Sequence, residues 1–297
     1  MDNLKILFPL KNFSKIFLFL LPAIIIFAVL CYQLNFTQDD AYISYRYAAN
    51  YLNGDGLVFN IGERVEGFTN FGWVIYLILS GTLGFDYIFI SKVTGVLFGV
   101  GIIILTFFIA VSLLNGKNKW FALLPVYIVG INQSLAYWSI SGLETSAFAF
   151  CAMLCFYYYL KRSWLLSGSL IIAVLLRPEG ALVAGLLIII EALETKWVPW
   201  YTFRCAVMAF LPLIPYIIFK ITYYGSILPN PFYAKTGFNL KQLTNGLEYT
   251  ERFLSHYGFY GIGFFIPLFF INKLSRPAKS IILFAGMYIL YIILIGG

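Results

Sequence analysis

Apolar runs recur along this chain from residue 16 to residue 295, broken only by short polar stretches. Several reach the roughly 20 residues that a helix needs to cross a bilayer. In hydrocarbon every backbone polar group must be satisfied within the structure, which leaves helices or closed barrels. Runs of this length suit helices. Charged residues are 11% of the chain and hydrophobic residues 61%, with a mean hydropathy of +0.85. Soluble domains carry about 25% charged residues, so a soluble domain with a large core is excluded. The expected fold class is an all-α polytopic membrane protein.

The first run, 16–34, follows Lys5, Lys11 and Lys15, and Gln33-Leu34-Asn35-Phe36 is a poor cleavage site for a leader. It reads as a first span with a cytoplasmic N-terminus. The net charge of +7 needs no nucleic-acid partner, because cytoplasmic loops of membrane proteins are enriched in Lys and Arg. Cys31, Cys151, Cys155 and Cys205 all fall in or beside apolar runs and read as packing residues.

One segment decides the expected topology. Residues 71–83 (FGWVIYLILSGTL) are apolar, yet as a helix they would cover only about 20 Å of a core about 30 Å thick. If this segment lies in the interface or re-enters, the spans are 16–34, 88–114, 120–139, 144–160, 164–176, 181–193, 198–222, 253–272 and 280–295, about nine crossings in a single domain over 1–297. The inner side then holds 12 basic and 3 acidic residues, the outer side 8 basic and 10 acidic. Were 71–83 to cross, Lys117/Lys119 and Lys161/Arg162 would fall outside, against the positive-inside bias. The expected outer loops are 35–87 and 225–252. The runs 164–176 and 181–193 are short and read as tilted helices meeting at Arg177-Pro178-Glu179.

That layout gathers ionisable residues on the outer face, at the ends of spans. Thr37-Gln38-Asp39-Asp40 opens the first outer loop, with Arg46 seven residues beyond Asp39 and so on the same face of a helix starting there. A capped interfacial helix with solvated charges and a working site are both open readings. Glu63-Arg64-Val65-Glu66 precedes the short apolar segment, as a polar loop or a second pair of carboxylates. Glu144, in Ser141-Gly142-Leu143-Glu144, interrupts an apolar stretch and needs a partner or water to stay charged. Arg177 and Glu179 flank Pro178, where a kink ion pair and a forked donor for a phosphate or carboxylate are the two readings. Lys235 is the one cation in the proline-rich stretch 228–236, and His256 is the only histidine, more often a packing residue than a metal ligand. No P-loop, dinucleotide fingerprint, HExxH or GxSxG motif is present, and no Arg-rich voltage-sensor helix.

Taken together, DDAYISYRYAANYLNGDGLVFNIGERVEGFTNFGW, SGLETSAF, LLRPEGAL and YYGSILPNPFYAKTG resemble, in the same order, the motifs of bacterial arabinofuranosyltransferase-like proteins of the GT-C glycosyltransferase superfamily. The likeness covers roughly residues 38–297. It implies a GT-C-like helical bundle whose first outer loop contains juxtamembrane helices. It implies Asp39 or Asp40 as the catalytic acid/base, and it matches Glu66 and Glu144 to further acidic positions, as additional catalytic residues. Family members run on past the position of Gly296-Gly297, so the resemblance implies that this chain is truncated relative to them.

The expected activity is transfer of a sugar, a pentofuranose by the resemblance, from a polyprenyl-phosphate donor to a cell-envelope glycan or lipid acceptor, with inversion. The expected site is on the extracytoplasmic face of a bacterial inner membrane. Arg46, Arg177 and Lys235 are the candidate contacts to the donor phosphate. A divalent cation is left open, with Glu66 and His256 as weak candidate ligands. Membrane lipid is a partner and nucleic acid is not. A transporter or flippase of a lipid-linked or anionic substrate, and an inactive short paralogue, are the alternatives.

Overall fold

The computed structural model describes residues 13–114, 119–195, 199–231 and 240–296. The helices are α1 (Phe13–Leu34), α2 (Ala41–Leu52), α3 (Phe71–Thr82), α4 (Tyr87–Leu113), α5 (Leu123–Gly130), α6 (Gln133–Ile140) and α7 (Thr145–Leu160). They continue as α8 (Leu165–Leu176), α9 (Glu179–Thr195), α10 (Trp200–Phe210), α11 (Ile214–Tyr224), α12 (Leu240–His256), α13 (Gly258–Phe269) and α14 (Arg276–Ile295). All regular elements among the described residues are helical, as expected for an all-α polytopic membrane protein.

Among the described residues, four helices are long and apolar enough to cross a membrane: Phe17–Leu34 of α1, Tyr87–Leu113, Trp200–Tyr224 (α10 and α11 together) and Arg276–Ile295. The expected run 120–139 is a broken one. Trp120–Gly130 and Gln133–Ile140 meet the same test as a pair but bend by 58°. The break falls at Asn132, whose Oδ1 accepts from Leu135 N at 2.9 Å and so starts α6 afresh. The short segment ahead of α4 forms α3, whose 12 residues rise about 18 Å.

One boundary differs from the sequence reading. The stretch expected as outer loop 225–252 contains most of α12, a 17-residue helix, and the run expected at 253–272 is divided between α12 and α13. Helix α12 (LKQLTNGLEYTERFLSH) alternates apolar and charged faces, so a search for continuous apolarity passes over it.

The chain divides into two compact units. The first comprises Met1–Glu63, Asn70–Tyr157 and Leu175–Arg177. Its core is built from α1, α4, α5 and α6, with Leu20, Ala23, Phe27, Ile103, Phe107, Val126 and Ala136 buried together. Small residues allow the helices to approach closely, as is usual where packing rather than water exclusion drives association. A Cβ on Gly95 of α4 would stand 2.1 Å from the carbonyl oxygen of Ser139 in α6, and one on Gly99 would stand 2.3 Å from the ring of Phe27 in α1.

The second unit comprises Arg64–Thr69, Tyr158–Val174 and Pro178–Gly297. A polar knot ties four of its segments. Glu191, near the end of α9, accepts from Thr202 N at 2.9 Å and from the Thr202 hydroxyl, and it pairs with Arg162. One turn on, Glu194 accepts from the Ser280 hydroxyl and from Tyr159 OH at 3.1 Å, and it pairs with Arg276. Tyr201 OH donates to the carbonyls of Tyr158 and Ser163. Helix α12 packs on α14 through Gly246, where a Cβ would stand 2.1 Å from Ile293 O.

The α4–α6 contact gives a direct test. Gly95→Ala is expected to force the two helices apart and to lower stability by about 1–3 kcal/mol, seen as a reduced thermal midpoint in detergent. Gly168→Ala in α8, where nothing lies within 4 Å of the added Cβ, is expected to leave the midpoint unchanged or raise it slightly.

Candidate functional site

In the first unit four polar side chains from distant parts of the sequence meet under cover. Asn70 stands at the N-terminus of α3, Ser44 on α2, Glu144 just before α7 and Arg177 just after α8. Asn70 Nδ2 donates to Glu144 Oε2 at 2.7 Å and to Ser44 Oγ at 3.1 Å. The second carboxylate oxygen, Glu144 Oε1, lies 3.8 Å from Arg177 Nε. Ser44, Asn70 and Glu144 are all buried. The guanidinium of Arg177 lies 5.8 Å from the centre of the Phe148 ring. Glu144 therefore has the partners that a carboxylate in an apolar chain requires.

The turn that delivers Glu144 depends on a glycine. Gly142 has φ +87°, in the left-handed region, and a Cβ there would meet the Tyr45 hydroxyl at 2.3 Å. Its carbonyl accepts from Trp73 Nε1 at 3.2 Å, which fastens α3 to the turn. Tyr45 OH shares a 2.6 Å hydrogen bond with Ser91 Oγ of α4.

Asp39 and Asp40 are both exposed and lead into α2. Asp39 Oδ1 accepts from Asp40 N and from Gln38 Nε2, each at 3.0 Å. Asp40 occupies the cap position of α2 without making a side-chain cap hydrogen bond. Gln38 N donates to Ser141 O at 2.9 Å, and Gln38 Oε1 accepts from Tyr137 OH at 3.2 Å. The aspartate pair thus follows directly on a residue bonded to the Glu144 turn, and Ser44, one turn along α2 from Asp40, joins Asn70. Asp39 and Asp40 are thereby tied, through Gln38 and Ser44, to the segments that carry Glu144 and Asn70. Arg46 is exposed and turned to the loop after α2: its guanidinium stacks 4.3 Å from the Phe59 ring centre, and its Nη2 donates to Asn60 Oδ1 at 3.5 Å. Asn60 Nδ2 in turn donates to Glu63 Oε2.

Glu66 belongs to the second unit and is also buried. Its Oε2 lies 2.9 Å from Nζ of Lys220, a buried lysine on α11. Burial pushes the Glu66 carboxyl above the usual carboxylate range, and Lys220 opposes that rise. The Lys220 ammonium lies 5.5 Å from the Tyr216 ring centre, one turn earlier. The strap 64–69 holds to α11 at two further points and to the segment after it at one. Arg64 stacks on Tyr223 at 4.8 Å, Phe68 meets Tyr224 edge-on, and Glu66 O accepts from Asn230 N at 3.0 Å. His256 is exposed at the end of α12 beside Tyr257. Among the described residues no group of three His, Cys, Asp or Glu side chains is placed to hold a metal ion. Lys235 lies outside the described residues.

Sequence reasoning overlooked three members of these clusters. Ser44 and Asn70 lie inside the motifs that carry the family resemblance, but their polarity is ordinary for a loop. Lys220 is a lone cation in a long apolar run, which is the one signal that marks a buried, partnered lysine.

No protein-family model matches the chain, and no solved structure matches it. Among curated proteins it matches the terminal beta-(1->2)-arabinofuranosyltransferase of Mycobacterium tuberculosis (strain ATCC 25618 / H37Rv), with 30% identity over 248 residues. The match covers 75% of this chain and 38% of the relative, so the chain spans about two-fifths of the length of that protein. A helical fold with long apolar helices and buried polar clusters defines a polytopic membrane protein. Over three-quarters of its length it is similar to an arabinofuranosyltransferase, the class of protein that its motifs resemble.

The Glu66–Lys220 pair yields a stability prediction. Glu66→Gln or Lys220→Met alone is expected to cost about 3–5 kcal/mol in thermal unfolding, because each leaves a buried group without its counterpart. The double variant is expected to be neutral or more stable. A carboxyl raised by folding binds more protons in the native state. Its contribution is full below the ordinary carboxylate pKa and is lost as pH rises through the raised one. The double variant should lack that slope.

Proposed function

We propose that this chain is a membrane glycosyltransferase that takes a sugar from a polyprenyl-phosphate donor and passes it to a cell-envelope glycan or lipid acceptor. The observation that carries the reading is the buried Glu144–Asn70 hydrogen bond with Arg177 beside it, in a cluster whose turn is bonded to Gln38, the residue before the exposed Asp39-Asp40 pair. The match to an arabinofuranosyltransferase supports the reaction class and suggests a pentofuranose as the sugar.

In this reading Asp39 or Asp40 removes the proton from the acceptor hydroxyl as general base. The acceptor oxygen attacks the anomeric carbon on the face opposite the phosphate, and inversion follows. Negative charge develops on the departing phosphate, where a guanidinium makes charge-assisted hydrogen bonds. Arg177 is the phosphate contact that the neighbourhood of Glu144 favours, with Arg46 and Lys235 as the other proposed cations. Glu144, held by Asn70, fixes the orientation of Arg177 and adds negative potential near the anomeric carbon. Glu66 has the part of an anchor for the loop. The site faces the extracytoplasmic side of a bacterial inner membrane, with the N-terminus in the cytoplasm.

Asp39→Asn and Asp40→Asn, made separately and assayed in membranes with a panel of lipid-linked sugars, test this. The variant lacking the base is expected to lose about 10²–10⁴-fold in transfer rate at unchanged thermal stability. Full activity in both variants would remove the aspartates from the mechanism.

A further inference from the structure

The polar knot of the second unit has no part in the proposed chemistry. Its two carboxylates are withdrawn from the surface: Glu191 is 4% exposed, and the Glu194 side chain 16%. Each is occupied by an arginine and by hydroxyl donors. The segments that meet there, 158–163, 191–195, 199–204 and 273–280, also carry Lys161, Arg162, Arg204, Lys273, Arg276 and Lys279, and all six side chains are exposed. This end of the unit therefore presents cations outward and keeps its acids inside.

Arg162 shows how firmly the arrangement is built. It is a non-glycine residue with φ +50°, a conformation that a side chain normally avoids. It is held there by the ion pair to Glu191 and by two tyrosine rings, Tyr201 at 4.8 Å and Tyr159 at 5.3 Å. Two tryptophans, Trp164 directly after the first of these segments and Trp200 at the start of α10, are 64% and 57% exposed. Arg204 lies 5.9 Å from the Trp200 ring. Exposed indoles and cations at the ends of apolar helices are the side chains found at headgroup level in a membrane, and α10 and α14 both begin here.

We propose that this end of the second unit is a docking surface for anionic phospholipid headgroups. The cations attract the headgroup phosphates, each near-surface cation contributing about fivefold. The tryptophans set the depth of the surface in the interface. Burial of Glu191 and Glu194 removes the repulsion that exposed carboxylates would supply. A soluble anion would find the same cations but would gain nothing from the tryptophans.

The test uses the whole chain in nanodiscs of mixed phosphatidylglycerol and phosphatidylcholine, with the retained lipids counted by native mass spectrometry. The wild type is expected to retain phosphatidylglycerol over phosphatidylcholine, and to do so less as ionic strength rises. Lys273→Gln with Lys279→Gln removes two exposed cations and leaves both ion pairs intact; it is expected to reduce the preference roughly tenfold or more. Lys241→Gln with Arg252→Gln removes the same charge from exposed positions on α12 and is expected to leave the preference unchanged. Three results would overturn the proposal: no preference in the wild type, a preference insensitive to salt, or an equal loss in the α12 variant. Displacement of phosphatidylglycerol by millimolar inorganic phosphate would also overturn it, by showing a free-anion site.

Discussion

The hydrogen bond from Asn70 to Glu144, 2.7 Å long, fastens the polar interior of the first unit. Through Asn70 it reaches Ser44 on α2, and through the other carboxylate oxygen it faces Arg177. Asn70 also begins α3, and Glu144 begins α7. One carboxylate thereby sets the positions of two helix starts, one helix face and a cation. An ionised carboxylate in apolar surroundings is too costly to leave unpaired, so these segments have a strong reason to meet there.

The second unit solves the same problem three times. Glu66 has Lys220, Glu191 has Arg162 and Thr202, and Glu194 has Arg276, Ser280 and Tyr159. Such pairs add little net stability against a well-packed apolar alternative, while breaking one is expensive. Their value is in specifying which helix ends belong together. Apolar surfaces alone leave that choice open, since lipid tails are as apolar as leucine.

The helical, membrane-spanning character was legible because it rests on run length and charge, both local properties. The ends of α4 and α7 and the break in helix between Leu176 and Glu179 were legible for the same reason. Three things were not. Helix α12 hides its apolar face among charges. The bend at Asn132 depends on one capping bond inside an apolar run. The division of the acidic residues, with Glu144 beside Asn70 and Glu66 beside Lys220, depends on pairings across 74 and 154 positions of sequence. The motifs named the residues around Asp39, Asp40, Glu66 and Glu144 but could not supply their partners. Of the cations assigned to a phosphate, Arg177 lies beside a carboxylate and Arg46 stacks on Phe59, a distinction that no spacing rule carries.

Thr202 and Lys220 lie on one helical run, Trp200–Tyr224, and each is bound to a buried glutamate, Glu191 and Glu66. The 18 positions between them rise about 27 Å, close to the thickness of a hydrocarbon core. A span free at both ends adapts to a thicker or thinner bilayer by tilting or by sliding along its neighbours. This one is pinned near both ends, so its apolar length is fixed and the surrounding lipid must take up any mismatch. Bilayer thickness thereby becomes a load on one buried ion pair and one pair of buried hydrogen bonds.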